Sequence, residues 1–144
     1  MNDIVHAEHA PAPVGAYPHA RRVGELLFLS GLGPRRPHDN TVPGNRYDAS
    51  GQLLAYDFEA QCHQVFANLK TVLEASGAQW HDLVDVTVYL TDMARDFACY
   101  NRLYGEYFDG VQACRTTLGI SALPTPIAIE LKCIAAPGAT RSSP

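Results

Sequence analysis

The sequence predicts an α+β domain in which one mixed β-sheet carries two helices on one face. Three features of its 144 residues predict this. Apolar runs of strand character are interrupted by two stretches of helical period, in the order strand, strand, helix, strand, helix, strand, strand. The GxGxxG and Walker loops that mark nucleotide-binding α/β sheets do not occur in the sequence. The length suits a single domain with a substantial core and is too short for two ordinary ones.

The first predicted element is a hairpin. "ELLFLSGL" (25–32) is a short apolar run ending at Gly31 and Gly33, and it follows "GAYPHARRVG", so that "RVGE" forms the turn. From 33 to 52 the density of Pro, Gly, Asn and Asp predicts a long loop, and loops of this length inside compact domains are commonly functional. Phe58, Cys62, Val65, Phe66, Leu69, Val72 and Leu73 then recur at spacings of three and four. That spacing lays one apolar stripe along about four helical turns, with Asp57 as N-cap and Gly77 just past the end. "LVDVTVYL" (83–90) alternates, placing Val84, Val86, Val88 and Leu90 on one face of a strand and Leu83, Asp85, Thr87 and Tyr89 on the other. A second helix follows, capped by Asp92 or Thr91, whose stripe of Phe97, Tyr100, Leu103, Tyr104, Tyr107 and Phe108 suits a core or a subunit contact. Two strands, 115–121 and 127–135, close the chain around the turn "ALPTP". A sheet covered on one face leaves the other to find a partner, which predicts a homo-oligomer. Residues 1–144 are thus one domain, with 1–12 and 138–144 expected as flexible ends.

Composition narrows the functional classes. No run approaches the ~18 apolar residues of a membrane helix, and "MNDIVHAEHAPAP" lacks a basic region followed by an apolar stretch, so the expectation is a cytoplasmic protein without a membrane partner. A net charge of −4 without a basic stripe argues against nucleic acid. Cys62, Cys99, Cys114 and Cys133 form no CxxC pair and read as buried thiols rather than a disulfide or zinc set. His6 and His9 lie in the N-terminal stretch, no HExxH occurs, and no metal is expected.

Two charges sit inside the last strands. Arg115 and Glu130 interrupt apolar runs, and a buried charge costs several kcal/mol unless it is paired or used. If the two strands form an antiparallel hairpin, Arg115 lies several residues beyond Glu130, which disfavours direct pairing; a structural salt bridge is the competing reading. Successive strand residues point to opposite faces, so Cys114 should pack while Arg115 faces a cavity. Ser30 in "LSG" lacks a GxSxG context and is not expected to be a nucleophile. Residues 33–47 carry Arg35, Arg36 and Arg46 against Asp39 alone, a net of +2 in an acidic chain. That loop either faces an anion or is simply solvated.

Six blocks in order, "GAYPHARRVGELLFLSG", "EAQCHQVFANLKTVLEASGA", "LVDVTVYLTDM", "YNRLYGEYF", "CRTTLGISALP" and "IAIELKCIA", resemble the RidA (YjgF) family of reactive-intermediate deaminases over about residues 13–136. The resemblance implies a chorismate-mutase-like fold, a homotrimer with active sites between subunits, and cofactor-independent hydrolysis of enamines or imines to carbonyl compounds and ammonia. The positions matching the family's site are Tyr17, Ser30, Asn101, Arg115 and Glu130. Arg115 corresponds to the arginine holding a substrate carboxylate and Glu130 to the acid orienting the attacking water. "GPRRP", "PGNRYDASG", "YDFEAQC" and "LPTPIAIELK" look more like the 2-aminomuconate deaminase branch, which converts that dicarboxylate to 4-oxalocrotonate in aromatic-compound degradation. Arg35, Arg36, Arg46 or His38 would then meet the distal carboxylate. A general deaminase of small 2-imino acids, such as 2-aminoacrylate, and a chaperone-like binding protein are the alternatives.

Overall fold

The computed structural model describes residues 3–138; residues 1–2 and 139–144, part of the ends expected to be flexible, lie outside the described residues. Among the described residues, eight strands and two α-helices follow in the order β1 (Ile4–Val5), β2 (Ala20–Val23), β3 (Leu26–Leu29), β4 (Arg46–Tyr47), β5 (Leu53–Ala55), α1 (Phe58–Ala75), β6 (Leu83–Leu90), α2 (Met93–Tyr107), β7 (Cys114–Gly119) and β8 (Ile129–Ala135). Six of them form one sheet in the order β1-β2-β3-β8-β6-β7, and β4-β5 make a small separate hairpin. Only β6 and β7 run parallel, so the sheet is mixed.

Local chemistry sets these elements. Asp57 caps α1 by accepting the Ala60 N–H at 3.1 Å, and Asp92 caps α2 by accepting that of Arg95. Gly77, at φ +76, takes the left-handed conformation just beyond α1 at little steric cost. The apolar stripe of α1 and Tyr100, Leu103, Tyr104 and Phe108 of the α2 region pack over Val86, Val88, Leu90, Ile129, Leu131 and Cys133 of the sheet. Both helices therefore cover one face, as expected, and the other face carries exposed Val23, Leu26, Phe28 and Leu118.

Several expectations need correction. The two final strands are not a hairpin: β6 lies between them, paired parallel to β7 and antiparallel to β8. The long chain between Gly119 and Ile129 allows β8 to cross to the far side of β6, where both of its neighbours are satisfied. The alternation in β6 breaks at a bulge between Leu83 and Asp85, so Leu83 is buried and Val84 is exposed, the reverse of a continuous period of two. Cys114 is exposed rather than packed, because it lies on the uncovered face of an edge strand. The loop 33–52 is also not structureless, since β4 begins within it and pairs with β5.

The N-terminal stretch, expected as a mobile end, is docked from residue 3 onward. Ile4 and Val5 pair with β2, and Ala7 and Ala10 are buried. His19 fixes this segment with both ring nitrogens: Nδ1 accepts the Ala7 N–H at 2.9 Å, which leaves Nε2–H to donate to the Pro11 carbonyl at 2.8 Å.

Candidate functional site

Glu130 sits at the start of β8 between buried Ile129 and Leu131, so its side chain points to the uncovered face. It is half-buried and makes no hydrogen bond or ion pair among the described residues. Burial pushes its carboxyl above the usual glutamate value. Tyr17, Gly31, Gly33, Arg35, Thr125 and Ile127 surround it in a narrow cleft. An adjoining hollow shares Tyr17, Gly31, Gly33 and Arg35 and adds Ser30 and His19. Ser30 Oγ donates to the Pro18 carbonyl at 2.7 Å, and the Tyr17 hydroxyl accepts the Val14 N–H at 3.2 Å, so both are tied to the wall.

Glycine at position 31 makes the room. A Cβ there would lie 2.8 Å from Glu130 Oε2 and 3.0 Å from its Cδ. Two polar residues of α1 hold the loops around the cleft. Asn68 is buried and donates to the carbonyls of Gly33 at 2.8 Å and Arg35 at 2.9 Å. Gln61, fully buried, accepts the Ala128 N–H and donates to Asn45, which donates in turn to the Pro126 carbonyl. The two loops flanking Glu130 are thus fastened to the same helix.

Arg115 stands elsewhere. It pairs in register with Val86, which pairs with Cys133, and both of those face the helices. Its guanidinium lies 5.3 Å from the Tyr100 ring centre and 4.8 Å from that of Tyr104, and donates to Asn101 Oδ1 at 2.9 Å. The rings form a shelf that attracts the cation by about 0.5–1 kcal/mol each at exposed sites, and Asn101 fixes its rotation. Arg115 is nevertheless exposed, at the sheet edge, and no described carboxylate pairs with it. Arg115 and Glu130 therefore occupy opposite faces of one sheet, and the structural salt bridge between them does not form. Within one chain the structure brings Tyr17, Ser30, Arg35 and Glu130 together, and separately Asn101 with Arg115. Arg36 points away, donating to Thr41 Oγ1 beside Asp39.

Gly31, Gln61 and Asn68 were not singled out from the sequence as site-shaping residues. A signal existed for the last two: they are seven apart, on one face of α1, and fall inside its apolar stripe. Polar side chains there must be hydrogen-bonded, and loops are their nearest partners.

The chain is similar in sequence and fold to known proteins. The Endoribonuclease L-PSP family model matches residues 7–137. A RutC family protein of Pyrococcus horikoshii is 36% identical over 135 residues, covering 94% of this chain and 98% of that protein. The chloroplastic Reactive Intermediate Deaminase A of Arabidopsis thaliana is 35% identical over 133 residues, 92% of this chain and 65% of its own length. The crystal structure of RidA from an Antarctic Psychrobacter superposes with a TM-score of 0.79 at 29% identity, over 92% of this chain and 98% of the other.

Proposed function

The chain belongs to the RidA (YjgF/RutC) family, and from that premise we propose that it hydrolyses 2-imino acids and their enamine tautomers to 2-oxo acids and ammonia, at sites completed between copies of the chain. The observation that carries this reading is Glu130: a half-buried carboxyl without an internal partner, opening into a cleft built from four separate segments.

The chemistry asks for little. The enamine is protonated at carbon to give an iminium, whose carbon accepts water. Glu130 takes a proton from the water as the C–O bond forms, giving a carbinolamine, returns it to nitrogen, and takes the carbinolamine hydroxyl proton as the C=O bond forms, the C–N bond breaks and ammonia departs. Such proton transfer contributes about 10²- to 10⁴-fold, and a carboxyl with a pKa raised by burial is a better base than a solvated one. Arg115 suits the substrate carboxylate, because a planar guanidinium offers two parallel N–H donors. Since Arg115 and Glu130 of one chain face opposite ways, we assign the two roles to different copies. The exposed apolar side chains of the uncovered face support such association, and a closed trimer would complete three equivalent sites.

The deaminases among the relatives above carry general names, so the broad reading is preferred to the narrower one. 2-Aminomuconate remains one candidate substrate, and its conversion to 4-oxalocrotonate would follow the same steps. The family model's label names RNA cleavage, but a net charge of −4 gives no general attraction for a polyphosphate. A chaperone-like role would need neither Arg115 nor Glu130. The test is ammonia release from 2-imino acids generated in situ by an amino-acid oxidase. Acceleration that is lost in Arg115→Ala and Glu130→Gln supports the proposal, and equal rates with and without protein refute it.

A further inference from the structure

The basic loop places one of its cations in the Glu130 cleft. Arg35 is half-buried and lines both hollows together with Tyr17, Gly31 and Gly33. Its guanidinium is held from two sides: Nη1 donates to Asn40 Oδ1 at 2.8 Å and Nη2 to the Ala12 carbonyl at 2.7 Å. Its own carbonyl is fixed by Asn68. Asn40 adopts φ 61, a left-handed conformation that asparagine tolerates better than most residues, and this turns its side chain toward Arg35. The Arg36 N–H donates to the Thr41 carbonyl and the Asn40 N–H to that of Arg36, closing the turn beneath.

Both of those bonds are to neutral oxygens, so the positive charge of Arg35 is uncompensated. No described carboxylate forms an ion pair with it, Glu130 included. Two of its five N–H groups are used, leaving three for a ligand. The other cations of this region differ. Arg36 is exposed, bound to Thr41 and next to Asp39. Lys132 gives its ammonium to the Leu29 carbonyl.

We infer that Arg35 is a specificity-determining residue that receives a second anionic group at the far end of the substrate, so that the cleft prefers 2-imino dicarboxylates to 2-imino monocarboxylates. This rests on the deaminase reading, with Arg115 of another copy holding the first carboxylate. A guanidinium fixed in advance loses little freedom on binding, and a half-buried one is weakly screened, so the second carboxylate should count.

Two measurements together test it. Calorimetry compares glutarate with butyrate, neither of which can react, on the wild-type protein and on Arg35→Gln, which keeps an amide donor but no charge. Ammonia release compares 2-iminoglutarate with 2-iminobutyrate on the same proteins. The expectation is about tenfold tighter binding of glutarate and a similar advantage in kcat/KM for its imine, both collapsing to about twofold or less in Arg35→Gln. A wild-type protein without the preference, or an Arg35→Gln protein that retains it, overturns the inference. If neither imine is hydrolysed yet the glutarate preference disappears in Arg35→Gln, the deaminase reading fails while Arg35 keeps its role as an anion receptor. Should Arg35→Gln not fold, the wild-type protein reports alone: glutarate should keep an advantage over butyrate that weakens only in part from low salt to about 0.5 M, and equal binding of the two contradicts the ion pair.

Discussion

Replacing Gly31 by alanine isolates the position of the Glu130 carboxylate from everything else in the protein. The added Cβ would stand 2.8 Å from Oε2, where ordinary contact begins at 3.4 Å, so the carboxylate must retreat by roughly 0.6 Å. The atom in the way is the far end of a flexible side chain, and Gly31 is not among the glycines with positive φ. Folding should therefore suffer by less than about 1 kcal/mol. Catalysis should suffer more. A misplacement of about 1 Å costs on the order of 10²-fold, so a shift of this size predicts a loss of about tenfold in kcat, or about 1.4 kcal/mol. The assay is ammonia release from a 2-imino acid, with thermal melting and gel filtration as controls. Because the Glu130 carboxylate is what the added Cβ would meet, adding Gly31→Ala to Glu130→Gln should cost little more. An unimpaired Gly31→Ala enzyme, or full additivity in the double variant, would refute the reasoning.

Arg115→Lys keeps the charge but loses the planar fork, and should lower kcat/KM by about 10- to 100-fold while leaving melting temperature nearly unchanged; a fully active lysine variant would show that charge alone suffices. Burial raises the Glu130 pKa above 4.5, and the carboxylate is the form that accepts water's proton, so the acid limb of kcat/KM should lie above that value. The same raised pKa has a stability consequence. The native state binds the proton more tightly than the unfolded chain, so the favourable contribution is complete below about 4.5 and is lost as pH rises through the folded value. Glu130→Gln should accordingly melt higher than wild type at neutral pH, with the difference vanishing in acid; a variant that melts lower at neutral pH would mean that the carboxylate is structurally paired.

The fold was legible wherever local chemistry decides it. Asp57 and Asp92 cap helices where a carboxylate can reach a backbone N–H three residues on, and the spacing of Val65, Leu69 and Leu73 allows α1 only one buried face. Strand order was not legible, because nothing near "ALPTP" says that β6 inserts between the last two strands. That choice is made by long-range pairing, and the hairpin expectation failed there. The bulge at Leu83/Asp85 escaped for the same reason, since it depends on register with β8. At the site, residue types gave Arg115 and Glu130 but not their placement on opposite faces. For Gly31, the sequence shows a glycine, and only the packed neighbour shows why a methyl group has no room.

The central claim is that Arg115 of one copy and Glu130 of another make one site. Co-expressing Arg115→Ala chains with Glu130→Gln chains tests it most directly, since each variant alone should be inactive. If the chains assemble at random into closed trimers, one interface in four combines an intact Arg115 with an intact Glu130, and about a quarter of wild-type activity should return. A mixture that assembles yet stays as inactive as its parents would contradict the shared site.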